Sequence, residues 1–131
     1  MRYLLLIYSN PDNWEHPVFL QNPGFLALPA AERAALTEQA EALRREITES
    51  GELVAGVALA DSATARTIRV RDGVPIATDG PYVETKEHLA GYVVLDCDTQ
   101  ERADEIAARI PDARFAAIEV RPITETAGRD G

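Results

Sequence analysis

Two hydrophobic patterns alternate along the 131 residues of this chain. Short apolar runs without a helical period are typical of strands that are buried on both faces. Such runs occur over residues 2–8, 53–59, 89–97 and 115–123. Between them, apolar residues recur at offsets of three and four over residues 29–50 and again over residues 99–110. This period predicts two amphipathic helices.

The first predicted helix has clear start and stop signals. Pro29 suits the first turn, and Gly51 supplies a left-handed stop. The apolar stripe consists of Leu36, Ala40, Leu43 and Ile47. The other face, which includes Arg44, is expected to need only solvation.

The second predicted helix starts at Asp98 or Thr99 and stops at Pro111. With Asp98 as the cap, Glu101 falls at the third helical position, which is the spacing of a capping box. The predicted buried stripe consists of Ala103, Ile106, Ala107 and Ile110.

A hairpin is predicted between the two helices. Ile68 and Val70 alternate with arginines over residues 66–71, so one face of this strand is expected to be buried and the other wet. Asp72-Gly73 supplies the turn, and residues 74–78 return as a short edge strand.

Residues 9–28 are rich in proline and asparagine and are expected to form a long loop. The segment also carries Trp14, Phe19 and Phe25. Three large aromatic side chains favour a packed lid over disorder.

The order of elements predicts an α+β fold, a ferredoxin-like split βαβ with an extra hairpin. We expect one domain over residues 1–123 and a polar tail over residues 124–131. Because helices cover only one face of such a sheet, a second copy is the simplest cover for the other face. A homodimer packed sheet to sheet is therefore predicted.

Composition excludes several classes of protein. A formal charge of −9 disfavours nucleic-acid binding. Cys97 is the only cysteine, so there is no intramolecular disulfide, and a reducing cytoplasm is expected. The longest apolar run is too short to cross a membrane. No metal or cofactor is expected, because metal-ligand spacings, Walker loops and dinucleotide-binding fingerprints are all missing from the sequence.

The densest cluster of functional groups lies over residues 78–88, between two predicted strands. Asp79 beside a Gly-Pro turn is the candidate general base, with Tyr82 or Lys86 stabilising a developing oxyanion. Each has a structural alternative. Asp79 can bond the amides of its own turn, and Tyr82 can simply bury its ring.

Four more residues are candidate ligand-binding groups. Glu84 and His88 belong to the same cluster, although the loop charges can equally be solvated. His16 and Trp14 lie in the proline-rich segment, where a lid would bring them over Asp79. These groups predict a small polar ligand and acid–base elimination or hydrolysis. The alternative is a noncatalytic sensory or protein-interaction module, in which Asp79-Gly80-Pro81 is only a turn.

Four segments together resemble the DGPF-domain branch of the YCII-related proteins. They are MRYLLLIY at 1–8, ARTIRVRDG at 65–73, TDGPYVETKEHLAGY at 78–92 and EVRPI at 119–123. The resemblance implies a dimeric α+β barrel. Some YCII relatives are thought to use a His-Asp pair, one eliminates chloride from a small lactone, and others accompany sigma factors. Here Tyr82 replaces the usual Phe, and His88 stands where relatives more often have Gln.

Overall fold

The fold was analysed in a computed structural model that describes residues 1–82 and 86–124. The described strands are β1 (Arg2–Ser9), β2 (Leu53–Ala58), β3 (Arg66–Arg71), β4 (Val74–Asp79), β5 (His88–Asp96) and β6 (Ala117–Pro122). Four of them form an antiparallel sheet in the order β2-β5-β1-β6, and β3 pairs with β4 in a separate ribbon. The predicted α+β fold with an extra hairpin is confirmed.

The described α-helices are α1 (Pro23–Leu26), α2 (Ala30–Ser50), α3 (Gln100–Arg109) and α4 (Asp112–Phe115). Both predicted long helices are confirmed. Gly51, with φ of 82°, ends α2 in the left-handed region. Thr99 caps α3, because its side chain accepts a hydrogen bond from the backbone N–H of Arg102. The helix thus uses the second of its two predicted starts.

The core lies between one face of the sheet and the helices α2 and α3. Leu5 on β1 and Leu95 on β5 are fully buried there. Leu43 and Ile47 from α2 and Ile106 from α3 pack against the same cluster. The apolar stripes that predicted the helices are therefore the ones that hold them on the sheet.

Residues 9–28 contain more regular structure than the predicted loop. A 3-10 helix (Val18–Gln21) precedes α1, whose first turn is capped by the side chain of Asn22. Phe19 and Phe25 are buried, and Phe25 meets Phe115 of α4 edge to face, with ring centroids 6.1 Å apart. Edge-to-face aromatic packing therefore holds this segment in place.

The ribbon of β3 and β4 corrects one expectation. Ile68 and Val70 are 60% and 65% exposed, so neither face of the ribbon is buried within one chain. The physical reason is that β3 and β4 pair only with each other and lie outside the main sheet. The alternating pattern predicted the strand β3 correctly, but the predicted burial of one of its faces was wrong.

The end of the chain differs from the prediction in one element. Where the last strand was expected from residue 115, the chain first makes the single turn of α4, and β6 begins at Ala117. Nearly all of the predicted tail lies outside the described residues. Within the described ranges, each helix is too short or too polar to cross a bilayer.

Candidate functional site

A cleft of about 380 Å³ opens where the segment after β1 crosses the ends of β2 and β5. Backbone and small side chains of the two strands form its floor, including Gly56 and Gly91. A Cβ atom at residue 91 would lie 2.5 Å from the backbone oxygen of Val57, so the strands approach closely there. His16, Arg44 and Asp112, which are far apart in the sequence, reach this cleft from three different segments.

His16 is held by the backbone beyond β2. Its Nε2 lies 2.6 Å from the carbonyl oxygen of Leu59, and the indole N–H of Trp14 donates to the same oxygen at 2.9 Å. A carbonyl oxygen only accepts hydrogen bonds, so Nε2 is the donor and Nδ1 remains available for a second hydrogen bond. The Leu59 N–H in turn donates to the carbonyl of Ala90, which ties this anchor to β5.

Asp112, the first residue of α4, is the buried carboxyl group of the cleft. It is only 7% exposed, and its Oδ2 has no hydrogen-bond partner. Burial raises the pKa of this carboxyl group to about 6, while a hydrogen bond from its own backbone N–H and the charge of nearby His16 act in the opposite direction. A carboxyl group with this pKa exchanges protons readily near neutral pH.

Arg44 is exposed, as expected for the solvated face of the first helix, and it also contributes to the cleft. Its side chain lines the cleft and also a second cleft of about 330 Å³ under α2. The two clefts share Arg44, Asp112, Ile7, Pro17, Gly56 and Val93. They are therefore two parts of one depression that meet at a cation and a buried carboxyl group.

The candidate catalytic residues from the sequence lie on the ribbon and beyond it. The Asp79 side chain is 96% exposed, and its nearest ion-pair partner is Nε of Arg66 at 3.9 Å. Tyr82 is 72% exposed, with the guanidinium of Arg69 5.5 Å from the centre of its ring. Lys86 is also exposed. None of these three residues lines either cleft.

The candidate ligand-binding residues are divided by the structure. His16 and Trp14 are brought together at the Leu59 carbonyl, as a packed lid would require, but the cleft that His16 lines does not include Asp79. His88 is half-buried at the start of β5 and lies outside the lining of both clefts. Glu84 lies outside the described residues.

Sequence analysis missed Asp112 altogether. Its one local signal was an acidic residue directly after the proline that stops the second helix. That pattern is common at helix ends and points to no chemistry. As for metals, the described part of the chain holds no group of three or more His, Cys, Asp or Glu residues arranged as ligands.

Comparison with known proteins gives a family. The family model of the YCII-related domain matches residues 1–127. An uncharacterised protein of Rhizobium meliloti (strain 1021) is 34% identical over 84 residues, which cover 63% of this chain and 68% of the relative. A solved structure of 5-chloro-2-hydroxyhydroquinone dehydrochlorinase from Burkholderia phenoliruptrix AC1100 aligns over 96% of both chains, with a TM-score of 0.47 and 11% identity. Similarity at that level says nothing about the chemistry of this chain.

Proposed function

The chain belongs to the YCII-related domain family, and we propose that it binds a small polar molecule in the His16–Asp112 cleft and transfers a proton there. The observation that carries this proposal is the unpartnered Oδ2 of a carboxyl group that is 7% exposed and lines a cleft with an imidazole. Buried polar atoms without partners are rare, and clefts with perturbed carboxyl groups are typical of functional sites.

The proposed reaction is proton abstraction coupled to elimination. The Asp112 carboxylate accepts a proton from a substrate carbon, the C–H electron pair becomes a double bond, and the leaving group departs as an anion through the open side of the cleft. His16 keeps a fixed orientation through the Leu59 carbonyl, and its Nδ1 hydrogen-bonds the substrate. Hydrolysis, with Asp112 activating a water molecule, uses the same two groups.

Support for these roles comes from the complementary environments of the two groups. Asp112 is buried, which raises its pKa into the range where a carboxylate is an effective base near neutrality. His16 is exposed, and its hydrogen bond to a backbone carbonyl defines its tautomer.

The test is a thermal-shift screen of small metabolites, followed by product analysis by NMR for each compound that binds. Asp112→Asn and His16→Gln are expected to lower turnover by at least 100-fold, because each removes a proton-transfer or orienting group. His88→Gln is the matched control for His16 and is expected to keep full turnover. Full turnover in Asp112→Asn, or a wild-type protein that turns over none of the compounds it binds, would contradict the proposed reaction.

We also propose that the chain forms a homodimer. On the sheet face away from the helices, alternation along β1 and β5 places Leu4, Leu6, Tyr92 and Val94, and no described helix covers them. A two-stranded ribbon with exposed apolar side chains is only marginally stable alone, which favours a second copy as cover. Light scattering after gel filtration is expected to give twice the monomer mass for the wild-type protein and the monomer mass for Leu6→Lys. A monomeric wild-type protein would instead favour the noncatalytic interaction module.

A further inference from the structure

Arg44 lies at the junction of the two clefts, where it forms no ion pair with the part of the chain that the structure describes. No carboxylate of the described residues lies within ion-pair distance of its guanidinium, although Glu41 lines the same second cleft one helical turn earlier. By contrast, Arg102 and Arg109 on α3 are both bonded to Glu46. Arg44 thus presents free donors to the cleft.

Such a cation is unexpected in a strongly acidic protein. The chain carries 22 Asp and Glu against 13 Lys and Arg, for a formal net charge of −9, so an anionic ligand is repelled at long range. A local guanidinium at the meeting point of two clefts therefore provides the attraction that an anion needs. Its planar set of donors matches a carboxylate group in particular.

The second cleft supplies an apolar surface beside this cation. It runs under α2 and is lined there by Phe19, Leu20, Leu43, Ile47, Leu53 and Ile110. A ligand with its charged end at Arg44 places its uncharged body against these side chains. Its other polar end then faces the first cleft, where Asp112 and His16 lie.

We infer that the ligand class of this depression is a small organic carboxylate with an apolar body, whose carboxylate binds Arg44. The inference rests on the proposed function, because it assigns the substrate class of the same cleft. Arg44 is here a specificity-determining residue, and Asp112 and His16 keep the proton-transfer roles. The apolar lining of the second cleft favours an uncharged, apolar ligand body. The open side of the cleft admits substituents of different size on that body.

The experiment uses benzoate as probe and benzamide as its uncharged analogue of the same shape, titrated into the full chain at constant ionic strength and followed by ligand-observed NMR. Benzoate is expected to bind more tightly than benzamide. Arg44→Gln is expected to weaken benzoate about tenfold and to leave benzamide unchanged. Arg45→Gln removes the same charge from the adjacent position of α2, outside both clefts, and is expected to change neither.

Three results would overturn the inference: no benzoate binding to the wild-type protein, equal binding of benzoate and benzamide, or equal losses in Arg44→Gln and Arg45→Gln. The last would show that only net charge matters. Failure of the proposed function is distinguishable, because His16→Gln is expected to abolish turnover while benzoate affinity stays within threefold of the wild type. If the protein bound benzoate through Arg44 but turned over no compound, the carboxylate site would be supported and the proposed reaction would be contradicted.

Discussion

Two groups of charged side chains flank α2, and they are organised in opposite ways. Toward α3, Arg102 donates to Glu52 at 2.8 and 2.9 Å and to Glu46 at 2.9 Å, and each charge has a partner. In the cleft, the Oδ2 of Asp112 and the guanidinium of Arg44 have none among the described residues. Arg44 and Glu46 are only two positions apart on the same helix.

The difference shows how the two groups act on stability. Partnered charges favour the folded state, and their hydrogen bonds to Arg102 hold the pKa values of Glu46 and Glu52 at about 2. An unpartnered buried carboxyl group disfavours it, because its ionised form has lost solvation without gaining a partner. Perturbed, unpartnered carboxyl groups are typical of functional sites, which supports the ligand site that we propose in the cleft, whereas the ion-pair cluster acts on stability.

The largest expected effect is the loss of Arg102. Arg102→Met removes the cation that Glu46 and Glu52 share; Glu46 keeps Arg109, but Glu52, which is only 17% exposed, loses its ion-pair partner. We expect the free energy of unfolding to fall by about 2 to 3 kcal/mol. Urea denaturation measures it. Arg44→Met is the matched control and is expected to change stability by less than about 0.5 kcal/mol. Equal losses of unfolding free energy in the two variants would show that the ion-pair cluster and the cleft do not differ in their effect on stability.

The same cluster sets the response to acid. Since the pKa of Glu52 is lowered from 4.5 to about 2, its contribution is fully present above pH 4.5 and is lost as the pH falls toward 2. Melting temperatures measured between pH 2 and 5 are expected to rise less steeply in Arg102→Met than in the wild type. Parallel curves would show that Arg102 does not hold the carboxylate in its ionised form.

The second effect has the opposite sign. Asp112 has an ordinary pKa of 3.8 and a folded-state value of about 6. Well below pH 3.8 the group is protonated in both states, and between about pH 4 and 6 the unfolded chain is ionised while the folded chain is not. The resulting destabilisation of the folded state is complete above pH 6 and amounts to about 1 to 3 kcal/mol. Asp112→Asn is therefore expected to be more stable than the wild type at pH 7.5, and this difference is expected to shrink to less than about 1 kcal/mol at pH 4.

Chemical denaturation at the two pH values checks this expectation. Asp104→Asn, an exposed aspartate on α3, serves as control and is expected to show no such difference between pH 4 and 7.5. A wild type that is more stable than Asp112→Asn at pH 7.5 would mean that the carboxylate has a partner in solution. The cleft would then resemble the ion-pair cluster.

The fold was predictable because its signals are local. Leu43 and Ile47 on one helix stripe, and the apolar runs of β1 and β5, carry the period of their own elements. The cleft was not predictable from the sequence, because His16, Arg44 and Asp112 come together only through tertiary structure. The sequence instead favours residues 78–88, where functional groups are dense along the chain, and the described residues of that segment line neither cleft.

The smallest expected effect concerns Asp79, the candidate base from the sequence. Its side chain is 96% exposed with a single loose ion pair, so Asp79→Asn is expected to change the free energy of unfolding by less than about 0.5 kcal/mol at any pH. The Asp→Asn change in the free energy of unfolding is therefore expected to be independent of pH at residue 79 and to depend on pH at residue 112. Ligand-induced stabilisation is expected to survive in Asp79→Asn. If it disappeared while the stability of the ligand-free protein stayed unchanged, Asp79 would belong to the binding site after all. Because the ribbon that carries it is uncovered in one chain, that result would point to a site completed by a second copy.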